Sequence, residues 1–343
     1  MKKLLLITMV IVLAACSTEP RSSKPSASGR AGELLVVMPT NQWKGHAGEI
    51  VRGVFQTNVP MLMQAEPTFD VVQVNETAFV KMFETHRHIF MVDIDPSLEK
   101  ATVEMNQHLW SYPQMVIRVK APNDSLLERV MNVNEESFRE YYLKIETQRL
   151  INAYKRMVNE EARQAVQEMF GFTMIVPEGY YVAKRGEDFM WLRRTSTNQD
   201  LDMGVLIATM PYNDPATDFD PQTIRQRRDS LTREYIPGQM PDSYMTTYEE
   251  LDHAYREISF NGHYAMEARG LWRMEGDFMG GPFVNYTLVD QKNNRLVILD
   301  GFIYAPDFDK RDYMRQVEAV IRSLSLEGDD PQETEEEAVP PVS

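Results

Sequence analysis

The chain of 343 residues is 43% hydrophobic and 25% charged, so its length and composition suit two globular domains that each bury a core. Its formal net charge of -15 argues against nucleic acid as a partner, because phosphate groups need a basic face. The single cysteine excludes an intramolecular disulfide and a cluster of thiolate metal ligands.

The N-terminus has the pattern of a bacterial lipoprotein signal. Two lysines precede an apolar run over residues 4–13, which is shorter than the roughly 20 residues that span a bilayer. The run ends in Leu-Ala-Ala-Cys at residues 13–16, which resembles a lipobox. The resemblance implies that residues 1–15 are a signal peptide and that acyl chains on Cys16 anchor the protein in a membrane. The alternative is an ordinary signal peptide with an incidental cysteine.

Residues 16–29 are rich in serine and proline and are predicted to form a flexible tether. Thirteen such residues have an average reach of about 20 Å. Ser17 stands where the best-known sorting rule for lipoproteins requires Asp for retention at the inner membrane. By this resemblance we expect the protein at the outer membrane, on its periplasmic side.

The first folded region, residues 30–122, alternates strand and helix patterns. Apolar segments predict strands, and helical spacing predicts helices between them, over residues 33–38, 46–56, 69–74, 76–85, 89–92 and 115–119. Such alternation indicates an N-terminal α/β domain with a small mixed sheet.

A helical bridge is predicted over residues 123–171. A first helix covers residues 124–131, and Asn134 is predicted to be the N-cap of a second helix that ends at Gly171. About 36 residues in one helix would extend about 54 Å, long enough to pack on both halves of the protein. A coiled coil with another chain is the alternative, although polar residues interrupt the apolar stripe.

The second folded region, residues 172–326, is predicted to be an antiparallel sheet covered by helices, so the whole chain belongs to the α+β class. Asn261-Gly262 predicts a hairpin with a type I′ turn, and a second hairpin is predicted around residues 292–294. Helices are predicted to begin at Asp220 and Asp309. Residues 327–343 are acidic and contain proline, which is typical of a disordered tail.

Five segments carry a resemblance that spans nearly all of the chain after the tether. They are GRAGELLVV at residues 29–37, WKGHAG at 43–48, QAEPTF at 64–69, RHIF at 87–90 and FIYAP at 302–306. Together they resemble a family of bacterial lipoproteins known only as a domain of unknown function, so the resemblance implies no activity and no catalytic residue. The outline of the second half is similar to PsbP-like sandwiches, which are mostly binding modules.

Lys44, Gly45 and Gly48 are candidates for anion binding. They lie between a predicted strand and a predicted helix, where free backbone N–H groups bind anions. The alternative is a turn whose glycines permit close packing under Trp43.

Aromatic residues concentrate in the second half of the chain. Trp191, Tyr212, Trp272 and Tyr286 are the candidates for a groove that binds a peptide or a glycan. The alternative is that these rings pack the sheet.

No recognised catalytic motif occurs in the sequence, and we expect neither a metal site nor a cofactor. We therefore expect a non-enzymatic binding or assembly module that faces the periplasm, with an envelope protein, a peptide or a glycan as its partner. The alternative is an envelope hydrolase that uses carboxylates on a glycan or peptide, which rests on the acidic loops near aromatic strands.

Overall fold

The computed structural model describes residues 24–196 and 200–329. These residues form a five-stranded sheet, an eight-stranded sheet and a long helix that packs against both halves. The predicted α+β class, with a small mixed sheet, a bridging helix and an antiparallel sheet covered by helices, is confirmed. The predicted signal peptide and Cys16 lie outside the described residues, as do residues 330–343 of the predicted tail.

The sheet of the N-terminal half is built from β1 (Glu33–Val37), β2 (Asp70–Val74), β3 (His88–Ile94), β4 (Thr102–Gln107) and β5 (Met115–Ala121). The strand order is β2-β1-β3-β5-β4, and all pairs are parallel except β4 with β5. The inner strands β1 and β3 are almost continuously apolar because both of their faces are buried. The sequence pattern does not predict β4, because this edge strand is largely polar and exposed.

One face of this sheet is covered by helices. The short α1 (Thr40–Trp43) leads into α2 (His46–Phe55), which follows β1. The residues of α2 that point to the sheet are buried, and they include Val51, Val54 and Phe55. Their spacing of three and four residues is the helical period that the sequence shows.

The opposite face carries a thinner layer. The segment predicted as one helix over residues 76–85 forms a 3-10 turn at Glu76–Ala78 and the single-turn helix α3 (Lys81–Glu84). The backbone is extended at Phe79 and Val80, which separates the two turns. Phe79 and Phe83 then pack on the sheet together with Trp110.

The long helix α4 (Asp124–Tyr154) begins at Asn123, whose side chain accepts a hydrogen bond from the backbone N–H of Leu126 at 3.0 Å. The prediction of a cap at Asn134 is wrong. Asn134 lies inside α4, where its side-chain amide donates to the carbonyl oxygen of Val130 at 2.8 Å. None of the described helices combines the length and the apolar character that a membrane span requires.

The helical segment breaks after Tyr154. Asn159 caps α5 (Glu160–Phe170) by accepting a hydrogen bond from the backbone N–H of Ala162 at 3.0 Å. This helix ends at Gly171, which has a φ of 78°, as the sequence predicts. The bridge therefore consists of two helices, and the longer one has 31 residues.

The sheet of the C-terminal half is antiparallel throughout. Its strands are β6 (Tyr181–Arg185), β7 (Phe189–Thr195), β8 (Asp202–Pro211), β9 (Tyr244–Thr247), β10 (Ala254–Phe260), β11 (His263–Glu275), β12 (Gly280–Asp290) and β13 (Arg295–Tyr304). The order is β10-β11-β12-β13-β8-β7-β6, and β9 pairs with the second half of β11.

Both predicted hairpins are confirmed. β10 and β11 are joined by Asn261 and Gly262, whose φ angles of 50° and 84° are those of a type I′ turn. β12 and β13 are joined around residues 291–294. These turns set the register that places one apolar set of side chains on each face of the sheet.

Helices cover both faces of this sheet. After the short α6 (Pro215–Asp218), the helix α7 (Pro221–Tyr235) begins at the predicted cap Asp220, which accepts a hydrogen bond from the backbone N–H of Thr223 at 2.9 Å. The last helix, α8 (Arg311–Arg322), contributes Val317, Val320 and Ile321 to the core on the other face. It also contacts α4, which therefore packs on both halves.

The N-terminal half provides the cap of α8. Lys310, at the N-cap position, forms no capping hydrogen bond through its own side chain. The buried carboxylate of Glu66 instead accepts hydrogen bonds from the backbone N–H groups of Lys310 and Arg311, both at 2.7 Å. Arg311 also pairs with Asp70 at 2.9 Å. A carboxylate at the positive end of a helix dipole stabilises the helix, and here it joins the two halves.

We expect Glu66→Ala to lower the free energy of unfolding by about 1–2 kcal/mol, the usual cost of a lost N-cap. Glu66→Gln should lower it less, because the amide oxygen still accepts one hydrogen bond. Urea denaturation measures both changes. Glu168→Ala, an exposed acid near the end of α5, is the control, and an equal change in Glu66→Ala and the control would contradict the prediction.

Candidate functional site

A pocket of about 720 Å³ opens where the two halves meet. Its wall from the N-terminal half is formed by Met63 and Gln64, and Lys310 lies beside the start of α8. The remaining wall belongs to the C-terminal half and includes Tyr248, Leu251, Trp272, Met274, Met279 and Tyr304. A concave pocket of this size, lined by apolar side chains together with a few polar and charged ones, is typical of a binding site.

The turn between β11 and β12 forms the rim of the pocket and displays Phe278. The side chain of Asp277 accepts hydrogen bonds from the backbone N–H of Phe278 at 2.7 Å and from that of Gln239 at 3.0 Å. These bonds fix the turn and tie it to a neighbouring loop. The Phe278 side chain is 98% exposed. A fully exposed aromatic ring beside an apolar pocket indicates a contact surface.

Charged groups at the pocket already have partners within the protein. Arg273 pairs with Glu275 at 3.2 Å and lies over the ring of Tyr248, 5.1 Å from its centre. The ammonium group of Lys310 donates to the carbonyl oxygen of Phe308 at 2.8 Å. Both oxygens of Asp277 accept from backbone N–H groups. The two acidic residues of the pocket, Glu275 and Asp277, are thus both engaged with neighbouring groups of the protein.

The structure does not bring the four predicted groove residues together. Trp272 lines the pocket, but it is only 1% exposed and its indole N–H donates to the carbonyl oxygen of Ile303 at 3.2 Å. Trp191 packs in the same core cluster without lining the pocket. Tyr212 is partly buried in a separate cluster, and Tyr286 is buried in the core on the opposite face. Their burial matches the sheet-packing alternative.

Phe278 is the residue at this site that the sequence reasoning does not single out. Its signal is the segment Gly-Asp-Phe-Met-Gly-Gly at residues 276–281, in which an apolar ring lies inside a turn. Side chains in a tight turn point away from the core, so a phenylalanine there suggests a contact made outside the molecule.

The contacts at the predicted anion site, Lys44, Gly45 and Gly48, match the alternative of a turn whose glycines permit close packing. The backbone N–H of Gly45 donates to the carbonyl oxygen of Gln42 at 3.0 Å, so this group is not free for an anion. A Cβ added at Gly48 would lie 1.9 Å from the carbonyl oxygen of Trp43. Lys44 is exposed on the surface. The glycine at position 48 thus permits the close approach of α1 and α2.

We expect Gly48→Ala to lower the free energy of unfolding by about 1–3 kcal/mol, because the new methyl group overlaps the Trp43 carbonyl. Gly53→Ala is the matched control on the same helix, since nothing lies within 4 Å of its added Cβ. That variant should gain about 0.5–1 kcal/mol from helix propensity. Urea denaturation of both variants measures the difference. Equal effects would contradict the role of Gly48.

A second polar cluster holds α4 on the N-terminal sheet. The Glu146 carboxylate, which is buried, pairs with Arg87 at 3.0 Å and with Nε2 of His88 at 2.8 Å. His88 is completely buried, and burial lowers its pKa, against the opposing effect of the Glu146 carboxylate. Among the described residues its Nδ1 has no hydrogen-bond partner, and the ring of Tyr142 packs against the imidazole with 5.1 Å between the ring centres. The geometry is that of a structural anchor.

Burial by itself would raise the pKa of Glu146, but the hydrogen bond from His88 and the charge of Arg87 outweigh it and lower the pKa to about 2. A pKa below the unfolded value means that this group stabilises the fold above about pH 4.5 and that the stabilisation is lost as the pH falls towards 2.

We expect Glu146→Gln to lower the free energy of unfolding at pH 7 by about 3–5 kcal/mol, because it leaves Arg87 buried without its carboxylate. The loss of stability between pH 4.5 and 2 should also be smaller in this variant than in the native protein. Denaturant titrations across this pH range measure both effects. The surface variant Glu160→Gln is the control. It should change the free energy of unfolding at pH 7, and its loss between pH 4.5 and 2, by no more than about 0.5 kcal/mol each.

Within residues 24–196 and 200–329, no three His, Cys, Asp or Glu side chains are grouped as metal ligands would be. The pocket at the joint is the candidate functional site. It combines apolar and charged side chains in its wall with an exposed ring at its rim.

Two family models match the chain. Residues 27–155 match a domain of unknown function (DUF8532), and residues 159–323 match another domain of unknown function (DUF4837). The boundary between the two matches falls at the break between α4 and α5. Both matches carry the description of a domain of unknown function, so the expectation of a family known only in that way is confirmed.

Similarities to other proteins are distant. A mutant of the protein Mog1 is 11% identical, with a TM-score of 0.27, 48% of this chain covered and 93% of that chain. The Saccharomyces cerevisiae Ran-binding protein Mog1p is 11% identical, with a TM-score of 0.29 and coverages of 46% and 92%. Human StAR-related lipid transfer protein 5 is 11% identical, with a TM-score of 0.23 and coverages of 51% and 97%. No curated protein matches the sequence of this chain.

Proposed function

We propose that this protein is a lipid-anchored envelope lipoprotein that binds a partner protein without catalysis. The partner places an apolar side chain in the pocket at the joint and contacts Phe278 on its rim. The observation that carries the proposal is the 98% exposed ring of Phe278 beside a pocket of about 720 Å³ whose wall includes Met63, Met274 and Met279.

The lipobox-like sequence at residues 13–16 supports the anchor. Acyl chains on Cys16 would hold the protein in the membrane, and Ser17 favours the outer membrane with the folded body in the periplasm. The acidic net charge of -15 suits such a body, because it opposes nonspecific binding to anionic lipids and nucleic acids.

The walls of the pocket favour an apolar protein side chain over a glycan. Trp272 is 1% exposed, so this tryptophan offers no free face on which a sugar ring could stack. Three methionines, Met63, Met274 and Met279, line the pocket instead. Methionine side chains adapt their shape and are common at surfaces that accept hydrophobic peptide segments.

The hydrolase alternative has weaker support at this site. Glu275 and Asp277 are the acidic residues of the pocket, and both are occupied by donors within the protein. A general acid or base needs a carboxyl group that can reach the substrate. The contacts of Glu275 and Asp277 instead stabilise the turn between β11 and β12.

The pocket is tested by cross-linking in cells. We place a photoreactive amino acid at Tyr248 in the tagged full-length protein and identify the captured proteins by mass spectrometry. One dominant partner is expected, and Phe278→Ala should reduce its capture at least about fivefold because the exposed anchor is removed. Val133→Ala is the control, since Val133 is 71% exposed on α4 and outside the pocket. Equal capture in both variants would contradict the proposal.

The anchor is tested separately with Cys16→Ser. The native protein should incorporate radioactive palmitate and sediment with membranes, whereas the variant should do neither. Palmitate-free native protein in the soluble fraction would refute the lipid anchor and leave the pocket proposal to the cross-linking result.

A further inference from the structure

The start of the described chain is clamped onto the N-terminal domain. The backbone N–H of Ala27 donates to the carbonyl oxygen of Tyr112 at 3.0 Å, and that of Tyr112 donates to Pro25 at 2.9 Å. At the next residue, the backbone N–H of Ser28 donates to the carbonyl oxygen of Thr85 at 2.8 Å. Residues 25–28 of the predicted tether thus pair with the folded body, between the loop over residues 108–113 and the turn after α3.

Four apolar side chains are exposed at this entry point. Val80 and Met82 lie at the start of α3, and Leu109 and Tyr112 lie on the loop over residues 108–113. Their exposed fractions are between 39% and 70%. We call these four residues the entry patch. Apolar side chains that are clustered and exposed in this way mark a contact surface.

Both parts of the entry patch rest on one support. The ring of Phe79 lies 6.4 Å from that of Phe83 and 5.9 Å from that of Trp110, so α3 and the loop share an aromatic layer. The hydroxyl of Ser111 donates to the carbonyl oxygen of Thr85 at 3.1 Å, which joins the loop directly to the end of α3. The patch is therefore held in place on the thinner face of the N-terminal sheet.

The length of the preceding chain limits how far this edge can lie from a lipid anchor. Lys24 lies eight positions after Cys16, and even a fully extended chain of that length spans only about 28 Å. A short connection raises the effective concentration of the membrane around the patch. An apolar contact with the membrane that would be too weak for a protein free in solution can then form in an anchored one.

Electrostatic attraction contributes little here. Lys24 and Lys81 lie near the patch, but Glu76 and Glu84 belong to the same layer and balance their charge. Tyr112 at the edge of the patch suits the interface between lipid headgroups and acyl chains, where tyrosine and tryptophan are enriched. The expected contact is thus apolar and interfacial, with modest dependence on anionic lipid.

We infer that the entry patch inserts into the surface of the membrane that holds the Cys16 anchor, so that the body lies against the lipid on this edge. The inference rests on the proposed lipid anchor. It adds a second, non-covalent membrane contact and an orientation of the body relative to the bilayer.

Fluorescence in vesicles tests the orientation. The lipidated full-length protein is reconstituted in vesicles of phosphatidylethanolamine with a minority of phosphatidylglycerol. An environment-sensitive dye is attached to the cysteine of Met82→Cys, or of Val133→Cys as the matched exposed control. The label is specific for the introduced cysteine because acylated Cys16 does not react with the dye. Quenching by spin-labelled lipid should be at least about threefold stronger at position 82. A second label at Leu109→Cys should give the same result.

The outcomes separate the inference from the anchor. If the protein floats with the vesicles but aqueous iodide quenches positions 82, 109 and 133 equally, the entry patch does not insert, while the anchor stands. If the full-length protein carries no lipid and does not float with the vesicles, both the anchor and the inference fail. Strong lipid quenching at 82 and 109 alone supports the inference.

Discussion

The carboxylate of Glu66 at the start of α8 is the interaction on which the arrangement of the two halves depends. A helix N-terminus needs acceptors for its free N–H groups. The two carboxylate oxygens of Glu66, which lies 244 positions before Lys310, are acceptors for two such groups at the start of α8. The pair between Arg311 and Asp70 supports the same contact. A second contact joins the C-terminal sheet to the bridging helix, because Arg256 on β10 pairs with Glu136 and Glu140 on α4. The two halves of the chain are thereby joined at separate points.

The pocket is a consequence of this joint. Met63 and Gln64 precede Glu66 by two to three residues, and Lys310 directly precedes α8, so the contact that caps the helix also positions both sides of the cavity. Binding at this place is then a property of the two-domain chain, since neither half contains the whole wall. The entry patch, in contrast, belongs to the N-terminal half alone. A partner contact and a membrane contact can therefore occupy different surfaces of one molecule.

Much of the fold is predictable, because hydrophobic period and turn residues act over short distances. The strands β1 and β3, the Asn261-Gly262 hairpin and the stop at Gly171 are examples. The wrong cap at Asn134 has a local cause, because the same side chain can cap a helix or bond within one. The candidate site is less predictable. Trp191 and Trp272 pack in one cluster, whereas Tyr286 and Tyr212 belong to two others. Strand alternation and sheet topology decide on which face each ring lies, and composition does not show this.

By itself the sequence determined the α+β class, the positions of most elements and a lipobox-like start, since these follow from residue period, turn chemistry and short motifs. Only the tertiary structure decided that α4 continues through Asn134, that Trp272 serves as a buried wall and that Phe278 is left exposed on a rim. It also decided that α8 is capped by Glu66. The physical reason is that burial and hydrogen-bond pairing across hundreds of residues depend on how the elements pack, which no local pattern records.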